Sequence, residues 1–213
     1  MQASDKKMPK GVFLLPNALT TAALFAGFYS IISGISFGLA PALLAFNWSL
    51  ASLRDVDPMA GKLGWLAAFI FAACAALRLA RFNTQAEIVD KSYFQGLASP
   101  AAAGTLVSIV WFFVDRGVSG ETVRWLMLPL TIVLGLLMFS RLRYFSGKSW
   151  PSGDRIPIYF LFLFMLVLVL LAIDPPTVLA ISGVAYVLSG VVITILGRAQ
   201  WKSRRNRRKS KDD

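Results

Sequence analysis

The chain has 213 residues, of which 56% are hydrophobic and 15% are charged, and its net charge is +11. Soluble domains carry about 25% charged residues, so this composition predicts a polytopic membrane protein without a separate soluble domain. The sequence contains no histidine and a single cysteine, Cys74. This excludes histidine-based acid–base chemistry, histidine-ligated metals and an intramolecular disulfide.

The first apolar stretch, residues 11–53, contains no charged residue. A membrane helix needs ~20 apolar residues, so the stretch is too long for one span and barely long enough for two. Pro16 and Asn17 predict the start of its helix, with Asn17 as the N-cap. Because the run far exceeds the apolar region of a signal peptide, we expect a membrane anchor whose N-terminus stays in the cytoplasm.

Five more apolar runs follow along the chain. Flanking Trp, Arg and Lys residues can extend the shorter runs to membrane width, because their long side chains reach the interface. The segment 174–177, Asp-Pro-Pro-Thr, predicts a tight turn between the last two runs. The sequence therefore predicts an all-α membrane helix bundle with about six transmembrane helices. The runs are residues 63–77, 97–114, 125–140, 156–173 and 177–196.

The distribution of Lys and Arg predicts the orientation of these helices. Segments 78–94 and 141–155 and the region after residue 197 are rich in basic residues and are expected in the cytoplasm. Segments 54–62, 115–124 and 174–177 are then outside. The first stretch must cross an odd number of times, which leaves one crossing and about twenty surplus apolar residues for a tilted, re-entrant or interfacial extension. The expected regions are a cytoplasmic N-terminus (1–12), a membrane domain (13–196) and a basic cytoplasmic tail (197–213).

Five short motifs occur in order through this pattern. Together, from residue 14 to about residue 190, they resemble the CDP-alcohol phosphatidyltransferase family, and within it the bacterial CDP-diacylglycerol–serine O-phosphatidyltransferases (phosphatidylserine synthases). The motifs are L-L-P-N at 14–17, S-F-G-L-A-P-A at 36–42, A-L-R-L-A-R-F-N-T at 76–84, G-L-A-S-P-A-A at 96–102 and S-R-L-R-Y-F-S at 140–146.

The resemblance implies a function in phospholipid biosynthesis. Members of the family have about eight helices and transfer a phosphatidyl group from CDP-diacylglycerol to an alcohol, here L-serine, with release of CMP. They use Mg²⁺ or Mn²⁺, held by the aspartates of a D-G-x2-A-R-x8-G-x3-D-x3-D signature. The resemblance also implies a multi-pass protein of the bacterial cytoplasmic (inner) membrane with both termini in the cytoplasm.

The aspartate signature is missing from this chain. In the family it lies between the first helix and the S-F-G-x-A-P motif, but here the first span continues directly into Ser36. The last two aspartates would fall at Tyr29 and Ser33, which cannot ligate Mg²⁺ as carboxylates do. The sequence reads as if two crossings had been removed. It therefore identifies no catalytic or metal-binding residue, and Asp55 and Asp57 are expected in a solvated outer loop.

Arg78 and Arg81 are the best candidates for a binding site. They stand three residues apart on one helix face, with Asn83 following and Ser99-Pro100 at the entry to the next helix. One interpretation is a substrate pocket for a serine carboxylate or a lipid phosphate, because guanidinium groups bind both. The other is a pair of orientation anchors at a helix end. Arg141 and Arg143 allow the same two interpretations.

The C-terminal region is strongly basic. Each basic residue near an anionic surface contributes ~1 kcal/mol, so we expect Arg204, Arg205, Arg207 and Arg208 to contact lipid headgroups. Nucleic-acid binding is disfavoured because no folded nucleic-acid-binding module accompanies the cluster. The basic residues are Lys202, Arg204, Arg205, Arg207, Arg208, Lys209 and Lys211.

Two classes of function remain open from the sequence. The first is a shortened phosphatidylserine synthase-type transferase that acts on CDP-diacylglycerol and L-serine and is inactive as it stands. The second is a non-catalytic membrane protein that binds lipid or accompanies an intact synthase. A homodimer is also left open. A transporter is disfavoured because no span contains a carboxylate or paired charges.

Replacing Arg204, Arg205, Arg207 and Arg208 with Gln should weaken binding of the C-terminal segment to anionic vesicles by several kcal/mol at low salt. The measurement is vesicle partitioning of a peptide that covers residues 197–213. Partitioning of the unsubstituted peptide should fall as salt rises, and partitioning that is independent of salt would contradict the electrostatic account.

Overall fold

The computed structural model describes residues 14–85, 93–140, 142–145 and 158–212. Seven α-helices and two short strands account for most of them. The elements are α1 (Leu14–Gly34), α2 (Ala40–Trp48), α3 (Pro58–Gln85), β1 (Tyr93–Gln95), α4 (Ser99–Asp115), α5 (Arg124–Phe139), β2 (Arg143–Phe145), α6 (Ile158–Ile173) and α7 (Pro175–Asp212). A π-helical turn (Ile35–Leu39) joins α1 to α2, and a 3₁₀ turn (Leu50–Asp55) follows α2.

The first apolar stretch forms one nearly continuous helix. Its apolar part, Asn17–Trp48, has 32 residues, which corresponds to ~48 Å of helix against a hydrocarbon core of ~30 Å. The surplus residues predicted from the charge pattern are therefore helical. The expected start at Pro16-Asn17 is wrong: α1 begins at Leu14, and Pro16 lies in its first turn, where a missing N–H breaks no helical hydrogen bond.

The centre of the bundle lies where α3 packs against α5. Phe71 on α3 is fully buried, and a Cβ added at Gly135 on α5 would lie 3.0 Å from the Phe71 Cα. One turn further along α3, a Cβ at Gly38 would lie 3.0 Å from the Ala75 Cβ. Small residues thus allow the backbones to approach closely, as is common between membrane helices.

The outer helices present apolar side chains to the surroundings. Phe25 on α1 is 71% exposed and Phe162 on α6 is 70% exposed. Helix α6 is apolar on all faces and packs against α7. Such surfaces are stable against lipid and not against water, because lipid tails are as apolar as the side chains.

Six apolar helical segments are present among the described residues. Asn17–Trp48, Pro58–Arg81 and Pro175–Thr194 are long enough to cross a membrane, and Ser99–Asp115, Arg124–Phe139 and Phe160–Ile173 are shorter. These confirm the predicted all-α membrane bundle. The sequence did not predict the antiparallel pair of β1 and β2, which places Phe94 opposite Tyr144.

The connecting segments gather at two ends of the bundle. At one end, here called the Arg124 end, the Ser49 Oγ donates to the Gly120 carbonyl at 2.7 Å and the Arg124 Nη1 donates to the Ser52 carbonyl at 3.2 Å. Arg116 also reaches Asp174 there, at 3.5 Å. The β1–β2 pair lies at the other end, with Arg78. The three segments expected outside thus share one end, as the charge pattern requires.

Asp174 separates α6 from α7. The predicted four-residue turn is wrong, because α7 already begins at Pro175 and tolerates proline in its first turn. An Asp174 Oδ1 accepts from the Thr177 N–H at 3.2 Å, and the Arg116 Nη2 donates to the Thr177 Oγ1 at 3.1 Å. The hydrogen bonds from Thr177 lower the pKa of Asp174.

Helix α7 runs for 38 residues and continues past its apolar part through the basic segment. The segment 197–212, predicted only as a tail, is therefore a helical extension of the last apolar helix. Because the extension follows the Tyr186 part of α7, it leaves the bundle at the Arg78 end.

Reporter fusions at Val118 and at Asp213 should lie on opposite sides of the membrane, with Asp213 in the cytoplasm. Val118 belongs to the Arg124 end, whereas α7 leaves the bundle from the other end, so one membrane separates the two positions. A fluorescent reporter together with an enzyme that is active only after export provides the measurement. Both fusions reporting the same side would contradict this topology.

Candidate functional site

Arg78 lies near the C-terminal end of α3 and reaches toward the start of α4. Its Nη1 donates to the Ser99 Oγ at 3.3 Å. Ser99 is the first residue of α4 and Pro100 follows in the first turn, where the fixed φ of proline favours helix entry. The sequence placed Arg78 and Ser99 near one site, and the structure brings them into contact.

No acidic side chain that the structure describes forms a salt bridge with Arg78. Its side chain is partly buried, its Nε is buried without a hydrogen-bond partner, and no described carboxylate lies within salt-bridge distance. The nearby guanidinium of Arg81 repels it. A buried cation without a partner is costly, and the planar guanidinium fork is suited to phosphate or carboxylate. The arrangement is therefore a candidate anion site.

Two tyrosines line the α7 side of this site. Tyr144 on β2 is fully buried and donates to the Val187 carbonyl at 3.3 Å, and a Cβ at Gly190 would overlap its ring. The Tyr186 ring lies 5.6 Å from that of Tyr144, and Tyr186 is in the neighbourhood of Arg78. Burial raises the pKa of Tyr144, so its hydroxyl remains a neutral donor.

The sequence reasoning did not single out Tyr144 or Tyr186. Tyr186 is the one tyrosine within the last apolar run and is followed three residues later by Ser189. Polar groups inside a membrane helix commonly mark functional positions, so this signal was available. The contact between Tyr186 and Tyr144 could not be predicted from the sequence, because it depends on β2 packing onto α7.

The structure describes the side chains of only some of the remaining predicted site residues. Arg81 is partly buried and lies one turn beyond Arg78 on α3. Asn83 is on the same helix, and Arg143 pairs with Gln95 through the backbone, but both side chains lie outside the described part. Arg141 is likewise outside it. The headgroup-contact residues Arg204, Arg205, Arg207 and Arg208 lie on α7, with side chains outside the described part.

The described acidic residues do not fit a divalent metal site beside Arg78. Asp57 accepts from the N–H groups of Met59 and Ala60 at 3.0 and 3.2 Å and so caps α3, about 30 Å along that helix from Arg78. Within the described ranges no three Cys, Asp or Glu side chains are grouped. Asp55, Asp115, Glu121 and Asp174 also belong to the Arg124 end. Glu87, Asp90 and Asp154 lie outside the described residues.

Comparison with known proteins supports the resemblance seen in the short motifs. The chain is 33% identical over 138 residues to a CDP-diacylglycerol–serine O-phosphatidyltransferase of Helicobacter pylori, covering 62% of this chain and 53% of that protein. It is 34% identical over 115 residues to the enzyme of the same name from Methanocaldococcus jannaschii, covering 54% and 46%. A Mycobacterium leprae protein of that name is 25% identical over 118 residues, covering 53% and 37%.

No family model matches the chain. The chain spans about half the length, or less, of the curated relatives that it matches. Over that part, the chain is similar to transferases of phospholipid biosynthesis that are named CDP-diacylglycerol–serine O-phosphatidyltransferases, which is a CDP-alcohol phosphatidyltransferase-type relationship.

Proposed function

We propose that this chain is a phosphatidylserine synthase-type protein of the bacterial cytoplasmic membrane that binds an anionic substrate at Arg78 and does not complete the transfer alone. The observation that carries the proposal is the partly buried Arg78 guanidinium, which has an unpartnered Nε and no described counter-charge. By similarity to its relatives, the anion is the phosphate of CDP-diacylglycerol or the carboxylate of L-serine. The basic extension of α7 would then lie on anionic phospholipids at the cytoplasmic surface.

Arg78 can supply binding and part of the electrostatic stabilisation. In the transfer, the serine hydroxyl oxygen forms a bond to the β-phosphorus of CDP-diacylglycerol, and the bond to the CMP oxygen breaks. The hydroxyl proton must go to a base, and the charge on the pyrophosphate must be neutralised. Arg78 offers one positive charge, and Ser99 and Tyr186 are neutral hydroxyl groups.

The second candidate function is a non-catalytic lipid-binding protein that accompanies an intact synthase. It is favoured by the lack of any acidic residue between Asp5 and Asp55, where the resembling family keeps its metal ligands and base. Asp55, Asp57, Asp115, Glu121 and Asp174 stand at the opposite end from Arg78. With this second function, the anion site binds a lipid or substrate, and the intact synthase carries out the transfer.

Replacing Arg78 with Gln should weaken binding of CDP-diacylglycerol by about tenfold or more, because a hydrogen bond to a charged group contributes roughly 1.5–3 kcal/mol. The full chain, purified in neutral detergent, would be titrated with the lipid and followed by tryptophan fluorescence. Arg78→Lys should recover part of the affinity, since it restores the charge without the fork.

Arg124→Gln is the matched control for this measurement. Arg124 is also a partly buried arginine with a buried, unpartnered Nε, but it lies at the opposite end, where its Nη1 binds the Ser52 carbonyl. Its replacement should leave lipid affinity unchanged. Equal losses for both variants would assign the effect to general destabilisation, and no loss for Arg78→Gln would contradict the anion site.

The purified chain should not form phosphatidylserine from CDP-diacylglycerol and L-serine, with or without Mg²⁺ or Mn²⁺. Loss of a general base typically removes ~10²–10⁴-fold in rate, and loss of metal charge stabilisation removes several kcal/mol more, at about tenfold per 1.4 kcal/mol. Incorporation of radiolabelled serine into lipid, in membranes that lack a native synthase, measures this. Metal-dependent product above the empty-membrane control would contradict the prediction.

Insertion of the family's aspartate segment before Ser36 supplies the complementary test. The extended protein should gain activity that depends on Arg78. If it binds CDP-diacylglycerol and still makes no product, the second candidate function is favoured.

A further inference from the structure

A groove of about 450 Å³ runs along the contact between α4 and α7. Ala101, Gly104 and Trp111 line it from α4, and Leu179 and Tyr186 line it from α7. Gly104 is exposed and Trp111 is 45% exposed, so the groove opens onto the lipid-facing surface. A ligand could therefore enter it sideways from the membrane.

The three aliphatic hydroxyl groups of the groove donate to carbonyls of their own helices. Thr105 donates to the Ala101 carbonyl at 2.8 Å, Ser108 to the Thr105 carbonyl at 3.1 Å, and Ser182 to the Leu179 carbonyl at 3.0 Å. Their hydroxyl hydrogens point along the helices and not toward a ligand. The groove therefore favours an apolar occupant, because a polar group placed there would lose its hydrogen bonds to water.

One end of the groove adjoins the anion site. Ser99, which accepts from Arg78, lies two residues before Ala101 of the groove, and Tyr186 of the groove is in the neighbourhood of Arg78. From Ala101 to Trp111 the groove follows ~15 Å of helix, which is half of a ~30 Å hydrocarbon core. A positive charge at the end of an apolar groove one leaflet long complements a lipid with an anionic headgroup.

We propose that the α4–α7 groove holds one acyl chain of an anionic phospholipid whose headgroup is bound at Arg78. This inference rests on the proposed function for the anchoring of the headgroup at Arg78, and it adds where the lipid tail lies. A helix from a second copy fits less well, since ~15 Å of a helix ~10 Å wide needs roughly 1,200 Å³.

Gly104 offers a way to fill the groove without disturbing the helix packing. A Cβ added at Gly104 meets nothing within 4 Å, whereas one at Gly183, across the same interface, would lie 2.7 Å from the Thr105 Oγ1. Gly104→Trp should occupy the groove, and Gly104→Ala should leave most of it free. Gly27→Trp is the matched control, because Gly27 also has nothing within 4 Å but lies on α1.

The probe is a phosphatidic acid with a photoreactive diazirine in one acyl chain, added to the full chain in neutral detergent. Mass spectrometry should locate the label on the groove residues of α4 and α7. Gly104→Trp should reduce this labelling by about tenfold or more, because the indole replaces the apolar contacts of the chain. Gly104→Ala and Gly27→Trp should label as the unsubstituted chain does.

Competition on the unsubstituted chain tests the inference without a variant. Excess unlabelled phosphatidic acid should suppress labelling of the groove, whereas inorganic phosphate at equal concentration should suppress it less, because it cannot fill the apolar part. Labelling that is stronger on α1 and α6 than on the groove would overturn the inference. So would unchanged labelling in Gly104→Trp, or a change from dimer to monomer in that variant, which would identify a second copy as the occupant.

These experiments can refute the acyl-chain proposal and the anion-site proposal by different outcomes. If CDP-diacylglycerol binding depends on Arg78 but the groove is not labelled, the acyl-chain inference is wrong and the anion site stands. If the groove is labelled but binding is indifferent to Arg78, the anion site is wrong and the headgroup anchoring proposed here is wrong with it.

Discussion

Close approach between helix backbones is the constraint on which the rest of the structure depends. Within a membrane, apolar side chains gain little by leaving lipid, so helices associate through van der Waals packing and hydrogen bonds. The contacts of Gly135 with Phe71 and of Gly183 with Thr105 are of this kind. They hold α3 against α5 and α4 against α7, and the second contact keeps the helices of Ser99 and Tyr186 side by side.

The two ends of the bundle are chemically different. At the Arg124 end, several charged side chains have structural roles: Asp57 caps α3, Asp174 caps α7, and Arg116 lies 4.8 Å from the Phe112 ring centroid as well as beside Asp174. At the other end, Arg78 lies beside neutral hydroxyl groups and a second arginine. An anion bound at Arg78 would relieve the repulsion between the two guanidinium groups.

Helix α1 is the least integrated part of the described fold. Its side chains are almost all exposed, and a Cβ at Gly27 or Gly34 would meet nothing within 4 Å. The π-helical turn Ile35–Leu39 follows it directly, and this turn includes the point where the resemblance places the missing signature. π-turns arise when an extra residue is accommodated within a helix.

The sequence alone determined the class of the protein and most of its helices. Composition and apolar run length are sufficient for this, because a membrane helix satisfies its own backbone hydrogen bonds wherever it packs. The alternation of loops between two ends also followed from Lys and Arg counts. Helix boundaries were less accurate, at Asn17 and at the 174–177 turn, because proline is compatible both with a turn and with the first turn of a helix.

Only the tertiary structure revealed the features that depend on contacts between separate helices. Arg78 and Arg81 were visible as a pair in the sequence, but the contact of Arg78 with Ser99 at the start of α4 was seen only in the structure. The contact of Tyr144 with Gly190 and the groove beside Gly104 depend on residues far apart in the chain. Such features arise from the packing of separate helices, and no periodicity within a single helix specifies which neighbour its surface will meet.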